Sequence, residues 1–106
     1  MRKNINPTKD KMLQKWCEIL RCQMPEIREK YGVRSFWLFG SYVKGTQKRH
    51  SDLDVLVEFD RSPNFFDYIE LEDRLSDLLG VKVDLVMKKA LKENIGIRIF
   101  SEMVQV

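Results

Sequence analysis

Two aspartates stand two positions apart inside an apolar segment of the chain. Asp52 and Asp54 belong to the run Ser51–Phe59, which is otherwise rich in leucine and valine and follows a glycine-containing turn. Because the side chains of a β-strand alternate between its faces, both carboxylates point the same way, roughly 6.6 Å apart along the strand. Two like charges at that spacing repel each other, and a cation bound between them would offset the repulsion. The segment therefore predicts a strand with one buried face and one chemically active face.

Size and composition indicate one ordinary globular domain. The chain has 106 residues, of which 43% are hydrophobic and 33% charged, so it can bury one core but has no room for a second lobe. We expect a single domain over residues 1–106, with residues 1–8 as a flexible arm.

Charge and composition exclude several classes of function. Nineteen Lys and Arg against sixteen Asp and Glu give a net charge of +3, too small an excess to indicate nucleic-acid binding by itself. No apolar run approaches the roughly 20 residues of a membrane-spanning helix, and the start lacks the apolar stretch of a secretory signal. We therefore expect a cytoplasmic protein that does not bind a membrane. Cys17 and Cys22 match no zinc or redox spacing and are expected to be free thiols.

Apolar periodicity predicts helices and strands in alternation. An amphipathic helix is expected from Asp10 to Tyr31, kinked or restarted near Met24 because Pro25 interrupts it. The other expected elements are strands at 35–39, 52–59 and 81–86, a short helix from Ser41, a helix at 65–79, short helices at 89–102 and an edge strand at 104–106. The residues of helix 65–79 expected in the core are Phe66, Ile69, Leu71, Leu75, Leu78 and Leu79.

A third carboxylate completes a set suited to phosphoryl transfer. Asp84 is embedded in the apolar run Val81–Val86. Hard cations such as Mg²⁺ prefer oxygen ligands, and a pair of them roughly 3.5–4 Å apart needs a bridging carboxylate. Asp52, Asp54 and Asp84 fit that requirement as metal-ligating and catalytic residues. The structural alternatives are that Asp52 caps a turn and that Asp84 pairs with Lys82, Lys88 or another exposed cation.

The turn before the aspartates is a candidate anion site. Gly40 and Ser41 follow a predicted strand and precede a predicted short helix, so backbone N–H groups and the Ser41 hydroxyl could donate to a triphosphate oxygen. Gly40 permits the close approach. Lys44 could add positive charge, although a charged loop is usually just solvated. Glu58 shares the carboxylate face but lies further along, and we expect it to be solvated or ion-paired.

These segments, in this order and spacing, resemble those of minimal nucleotidyltransferases, small members of the DNA polymerase beta-like superfamily. The matching segments are Leu38–Gly45, Ser51–Val57 and Val83–Val86, and the likeness extends from about Pro25 to Val106. The resemblance implies an α/β (α+β) fold in which a small mixed β-sheet has helices packed on one face. It also implies a nucleotidyltransferase that uses ATP and Mg²⁺, with two metal ions held by the three aspartates.

The same resemblance implies a function and a partner. Proteins of this kind are commonly antitoxins paired with an all-helical HEPN ribonuclease toxin, and several are protein adenylyltransferases that move AMP from ATP onto a toxin tyrosine. We expect the same activity here, in a hetero-oligomer with a cognate HEPN toxin. The alternative is a catalytically silent antitoxin that neutralises its toxin by binding alone. Lys44 and Gln105 stand where arginine and tyrosine are common, which leaves details of partner and substrate open.

Overall fold

Helices and strands alternate in the part of the chain that the computed structural model describes, residues 7–91 and 103–106, with side chains described for 11–90 and 103–106. The elements are α1 (Pro7–Tyr31), β1 (Val33–Phe39), α2 (Ser41–Lys44), β2 (Leu53–Phe59), α3 (Phe65–Leu79), β3 (Val83–Met87), a 3₁₀ turn (Lys88–Leu91) and β4 (Val104–Gln105). The predicted strands, the helix at 65–79 and the short helix from Ser41 are confirmed. The short helices expected at 89–102 fall, beyond Leu91, outside the described residues. None of the described helices is both long and apolar enough to span a membrane.

The four strands form one mixed sheet in the order β3-β2-β1-β4. β2 lies antiparallel to β1 and parallel to β3, and β4 lies antiparallel to β1 at the other edge. The parallel register sets Asp54 opposite Asp84. Because residues that pair across neighbouring strands share a face, both carboxylates lie on the same side of the sheet.

α1 and α3 pack on the other side of the sheet and close the core. Leu53, Val55 and Val57 of β2 point to that side and are fully buried. The helices contribute buried residues at helical spacing, among them Leu13, Trp16, Leu20 and Ile27 of α1 and Leu71, Leu75 and Leu79 of α3. The Nε1–H group of Trp16 donates to the carbonyl of Leu79 at 3.1 Å, which joins the two helices. The structure thus confirms the mixed sheet with helices on one face.

The long first helix differs from the expectation at two points. It begins at Pro7, so the last two residues of the predicted arm are helical, while residues 1–6 lie outside the described part. It also continues through Pro25 without the restart expected near Met24. A proline inside a helix costs roughly 3 kcal/mol. Met24 and Ile27 are buried on either side of it, and this burial keeps the helix on the sheet.

Two residues of α3 expected in the core are exposed instead. Phe66 exposes 79% and Ile69 39% of its surface, and Phe65 before them exposes 71%. At 3.6 residues per turn, Phe66 and Ile69 lie roughly 140° and 160° around the helix from Leu71. The prediction was wrong because the apolar residues of α3 form two faces, of which the sheet covers only one.

Side chains of α3 hold the outer edge of β3, and we call this set of bonds the edge ladder. Ser76 Oγ accepts the N–H of Val83 at 3.0 Å, Glu72 Oε2 accepts the N–H of Leu85 at 2.8 Å, and the Tyr68 hydroxyl donates to the Leu85 carbonyl. The three side chains are four residues apart and therefore form one stripe along the helix. β3 is an edge strand, whose outer backbone groups would otherwise need water. The edge ladder fixes β3 lengthwise against α3.

Replacing Ser76 by Ala should weaken this attachment. The change leaves the part-buried N–H of Val83 without its acceptor, so we expect the free energy of unfolding to fall by about 1–3 kcal/mol. Urea denaturation measures the change. Asp73→Ala, at an exposed position of the same helix, is the control and should change stability by about 0.5 kcal/mol or less. Equal effects of the two substitutions would contradict the role given to Ser76.

Candidate active site

The predicted carboxylates gather at one end of the sheet. Asp54 is the second residue of β2 and Asp84 the second residue of β3, and the two face each other across the parallel pair. Asp52 immediately precedes β2, and its negative charge acts on Asp54. Of the alternative partners of Asp84, Lys88 has its Nζ atom 3.7 Å from Oε1 of Glu58. Strand pairing therefore brings Asp84 beside Asp54, which is thirty positions earlier in the sequence.

The electrostatics of Asp54 show how close these groups are. The pKa of Asp54 is raised to about 6, first by burial and then by repulsion from the carboxylates of Asp84 and Asp52. A hydrogen bond between the carboxyl groups of Asp54 and Asp84 contributes to the same shift. Asp52 and Asp54 are partly buried, whereas Asp84 on the edge strand is exposed. A cation at this place would relieve the repulsion at Asp54 most of all.

Gly40 lies against the carboxylate of Asp54. The residue before it, Phe39, pairs with Asp54 across β1 and β2. A Cβ atom built on Gly40 would stand 1.9 Å from Oδ2 of Asp54. The backbone of Gly40, with φ 86° and ψ −155°, is also in a region open essentially to glycine alone. The structure therefore shows why this residue is glycine: the Asp54 carboxylate occupies the space that a Cβ atom would fill. The sequence did not indicate this reason.

The rest of the turn is anchored to the core by Tyr42. Its ring meets Trp16 edge to face at 5.3 Å, and its hydroxyl donates to the carbonyl of Ser51 at 3.3 Å. Ser41 and Lys44, the other predicted phosphate-binding residues, are the first and last residues of α2, and Lys44 is exposed. The sequence analysis did not single out Tyr42. The only sequence signal for it was its position between Gly40 and Gly45. Its contacts hold α2 beside the start of β2, where the carboxylates are.

The carboxylates fit a hard divalent cation, although they do not form a finished cage for one. Among side chains 11–90 and 103–106, no three histidine, cysteine, aspartate or glutamate groups are close enough together to hold a metal ion by themselves. Mg²⁺ is usually held by one or two carboxylates together with substrate phosphates, and not by a cage made of protein alone. The donor set matches that kind of site.

Glu58 lies further along the carboxylate face and is ion-paired, as expected. Its oxygens are 3.7 Å from Lys88 Nζ and 4.0 Å from Arg34 Nη1. Lys88 also stands over the ring of Trp37, 4.9 Å from its centroid.

The two cysteines are free thiols, as expected, with Cys17 buried and Cys22 exposed. None of these groups adds a ligand to the three aspartates.

Together the fold and the site define a class of protein. A small mixed sheet is covered by helices on one side, and on the other it carries carboxylates of two parallel strands beside a glycine turn, an arrangement suited to phosphoryl transfer on nucleotides. Residues 21–105 match the model of the nucleotidyltransferase domain family. The chain belongs to this family and is a nucleotidyltransferase.

Known relatives and solved structures agree with this assignment. Protein adenylyltransferase MntA of Thermococcus cleftensis is 48% identical over 88 residues, which cover 83% of this chain and 89% of the relative. A chain in the crystal structure of a toxin–antitoxin with AMP-PNP is 28% identical with a TM-score of 0.61, covering 87% of this chain and 69% of that one. A chain in the complex of tri-AMPylated Shewanella oneidensis HEPN toxin with MNT antitoxin has the same fold, with a TM-score of 0.57 at 22% identity, covering 92% and 70%. The resemblance to minimal nucleotidyltransferases is confirmed.

Replacing Asp54 by Asn should stabilise the protein when chelator removes divalent ions. The pKa of Asp54 in the folded protein lies above its ordinary value of 3.8, so the folded state binds more protons between pH 4 and about 6. Stability then falls as pH rises through that window. We expect Asp54→Asn to abolish the decrease in the free energy of unfolding that Asp54 causes between pH 4 and about 6. At pH 7 the substitution should raise the free energy of unfolding by about 1–2 kcal/mol, allowing for solvent screening. Urea denaturation in EDTA from pH 4 to 7 measures it.

The same pair of proteins tests whether the carboxylates bind a cation. Mg²⁺ should raise the melting temperature of the wild type more than that of Asp54→Asn, because binding to the folded state stabilises it by mass action. Asp73→Asn, outside the site, should behave as the wild type does. Identical pH and Mg²⁺ dependence in all three proteins would contradict the electrostatic account.

Replacing Gly40 by Ala should be more harmful than the same change at Gly80. Both glycines have positive φ, but a Cβ at Gly80 meets nothing within 4 Å, whereas at Gly40 it strikes Asp54. We expect Gly40→Ala to lower the free energy of unfolding by about 2 kcal/mol or more, and Gly80→Ala by about 1 kcal/mol. The double variant Gly40→Ala with Asp54→Gly should recover the part due to the clash. Equal losses in the single variants, measured by urea denaturation, would refute the contact.

Proposed function

We propose that this chain transfers AMP from ATP to a hydroxyl group of a partner protein, with Asp52, Asp54 and Asp84 as metal-binding and catalytic residues. The observation that carries the proposal is the pairing of Asp54 with Asp84 beside the Gly40 turn. Its chemical class is supported by 48% identity to the protein adenylyltransferase MntA of Thermococcus cleftensis. AMP-PNP in the related toxin–antitoxin structure supports ATP as the donor.

In the proposed reaction, residues of this chain bind the metal ions, bind the phosphates and accept the proton. Mg²⁺ bound to the three aspartates would supply the positive charge that offsets the triphosphate and the departing pyrophosphate. The backbone and hydroxyl of the Gly40–Ser41 turn donate to phosphate oxygens, and Lys44 at the end of α2 adds a positive charge. Asp84, exposed on the edge strand, faces an arriving acceptor and can take the proton from its hydroxyl.

The bond changes balance without any further reagent. The acceptor oxygen bonds to the α-phosphorus of ATP, and the bond from that phosphorus to the bridging oxygen breaks. The electron pair leaves with pyrophosphate, and the hydroxyl proton passes to Asp84 and then to solvent. Burial and the edge ladder hold the carboxylates in place, which supplies the orientation that such a reaction needs.

We propose a tyrosine of a cognate HEPN-family toxin as the acceptor, with the chain acting as the antitoxin in the cytoplasm. This chain is 28% identical to a chain in a toxin–antitoxin structure, and that likeness supports such a partner. The HEPN character of the toxin rests on the resemblance to minimal nucleotidyltransferases. The competing function, neutralisation by binding alone, would not require a partly buried carboxylate repelled by two others.

Replacing Asp52 and Asp54 together by Asn should abolish AMP transfer and leave the fold intact. The substitutions remove two charges that would bind metal, but they keep the side-chain shape. The assay is labelling of the purified toxin with ATP that carries the isotope in the α-phosphate, in the presence of Mg²⁺. Asp73→Asn is the control and should label as the wild type does. Equal labelling by the double variant would refute these catalytic roles.

Rescue of cells that express the toxin separates the enzyme from a silent binder. A variant with Asn at all three aspartate positions should lose rescue if AMP transfer is what neutralises the toxin. Full rescue by that variant, with normal toxin binding, would favour neutralisation by binding alone.

A further inference from the structure

An exposed apolar surface lies at the start of α3. Phe65, Phe66 and Ile69 form it, and we call these residues the aromatic patch. The two phenyl rings contact each other edge to face, with centroids 5.9 Å apart. Single exposed apolar residues are ordinary, but contiguous large ones mark interaction sites in many proteins. The proposed chemistry makes no use of these residues.

A groove adjoins the aromatic patch at the far end of β2 and β3, and we call it the end groove. Its volume is about 480 Å³, and Phe59, Pro63 and Met87 form much of its apolar wall. Pro63 stands two residues before Phe65, so the groove and the patch are joined across the loop that leads into α3. Phe59 packs against Tyr68, with ring centroids 6.3 Å apart, and Tyr68 is held by the edge ladder. The groove is therefore built on ordered elements.

The charges left over around this surface are mainly positive. Most nearby acids are ion-paired: Glu58 with Lys88 and Arg34, Asp60 with Arg34, and Glu70 with Lys30. Asp67 lies in the first turn of α3, where a carboxylate offsets the helix dipole. Arg61 and Lys89 are exposed, and within residues 11–90 and 103–106 neither forms a salt bridge. The Arg61 guanidinium donates to the carbonyl of Glu29 at 3.1 Å, which leaves its charge without an acidic partner. The rim of the surface therefore favours a partner with acidic groups.

Area and charge decide what kind of partner fits. Two phenylalanines bury about 150–250 Å² each, which is less than the roughly 800 Å² that each side of a stable protein interface buries. The occupant must therefore fill the end groove and contact the rim as well. A second copy docked symmetrically would present the same positive charges of Arg61 and Lys89. A different protein, apolar at the contact and acidic beside it, meets both conditions.

We infer that the aromatic patch and the end groove form the docking surface for the protein acceptor, which would present an amphipathic helix with an acidic flank. The inference rests on the proposed function for the identity of that acceptor. Phe59 is five residues from Asp54 along β2, so the groove lies roughly 17 Å from the carboxylates. A domain-sized acceptor spans that distance, whereas ATP bound at the carboxylates does not. Recognition of the acceptor would then be separate from the chemistry.

The test is the double variant Phe65→Ser with Phe66→Ser. Both positions are exposed, so circular dichroism and urea denaturation should show a folded protein of nearly unchanged stability. Calorimetry with the purified cognate HEPN-family toxin, the acceptor proposed above, should show a Kd at least about tenfold higher, the effect of losing a central aromatic contact. AMP transfer to that protein should show a raised KM with kcat preserved, and binding of Mg²⁺-ATP should not change.

Matched variants make the test specific. Phe65→Tyr with Phe66→Tyr keeps the ring area, and Asp77→Ser changes an exposed residue at the other end of α3. Both should bind the toxin as the wild type does. Lys89→Glu should weaken binding and reduce its dependence on salt, because it reverses a charge on the rim.

The outcomes separate this inference from the proposed function. An unchanged Kd in the double serine variant overturns the docking surface, whatever happens to AMP transfer. Loss of toxin binding in that variant supports the surface, even if the wild type transfers no AMP and the proposed function fails. A fall in self-association with normal toxin binding would assign the patch to a second copy and overturn the inference. Failure of the wild type to bind the toxin would overturn it as well.

Discussion

The parallel pairing of β2 with β3 is the interaction on which the site depends. Its register sets Asp54 opposite Asp84, so two like charges lie side by side on neighbouring strands, which is unfavourable in itself. The opposite face of the same strands compensates, since Leu53 and Val55 are fully buried under the helices. A slip of one residue would turn the buried side chains toward the carboxylate face. Hydrophobic burial on one face therefore maintains electrostatic repulsion on the other.

Much of this arrangement could be predicted from local sequence, because it follows from side-chain alternation. Asp52 and Asp54 stood out as charges within an apolar strand, and Asp84 did so in the same way. The register between β2 and β3 could not be derived from spacing alone, since it relates residues about thirty positions apart. The family resemblance supplied that link before the structure did. It did not indicate that Asp54 would occupy the space beside Gly40.

The errors on α3 have a common physical cause. Tyr68, Glu72 and Ser76 are polar residues four positions apart, and the edge ladder that they form turns this stripe of the helix toward β3. Phe66 and Ile69 read as core, yet they are exposed. Hydrophobicity alone does not say which face of a helix meets the sheet when both faces carry apolar groups. Here backbone hydrogen bonds of an edge strand needed partners, and the polar stripe supplied them.

The direction of the strands gives the two ends of the sheet different tasks. Asp54 and Asp84 lie where β2 and β3 begin, and the Gly40 turn lies where the antiparallel β1 ends. At that end of the sheet, the N-terminal ends of β2 and β3 lie beside the C-terminal end of β1. The carboxylates are therefore next to the backbone of the Gly40 turn. The other end, where β2 and β3 finish, has an apolar groove and ion-paired glutamate instead. α3 serves both ends of the sheet, because it holds β3 through the edge ladder and carries the aromatic patch.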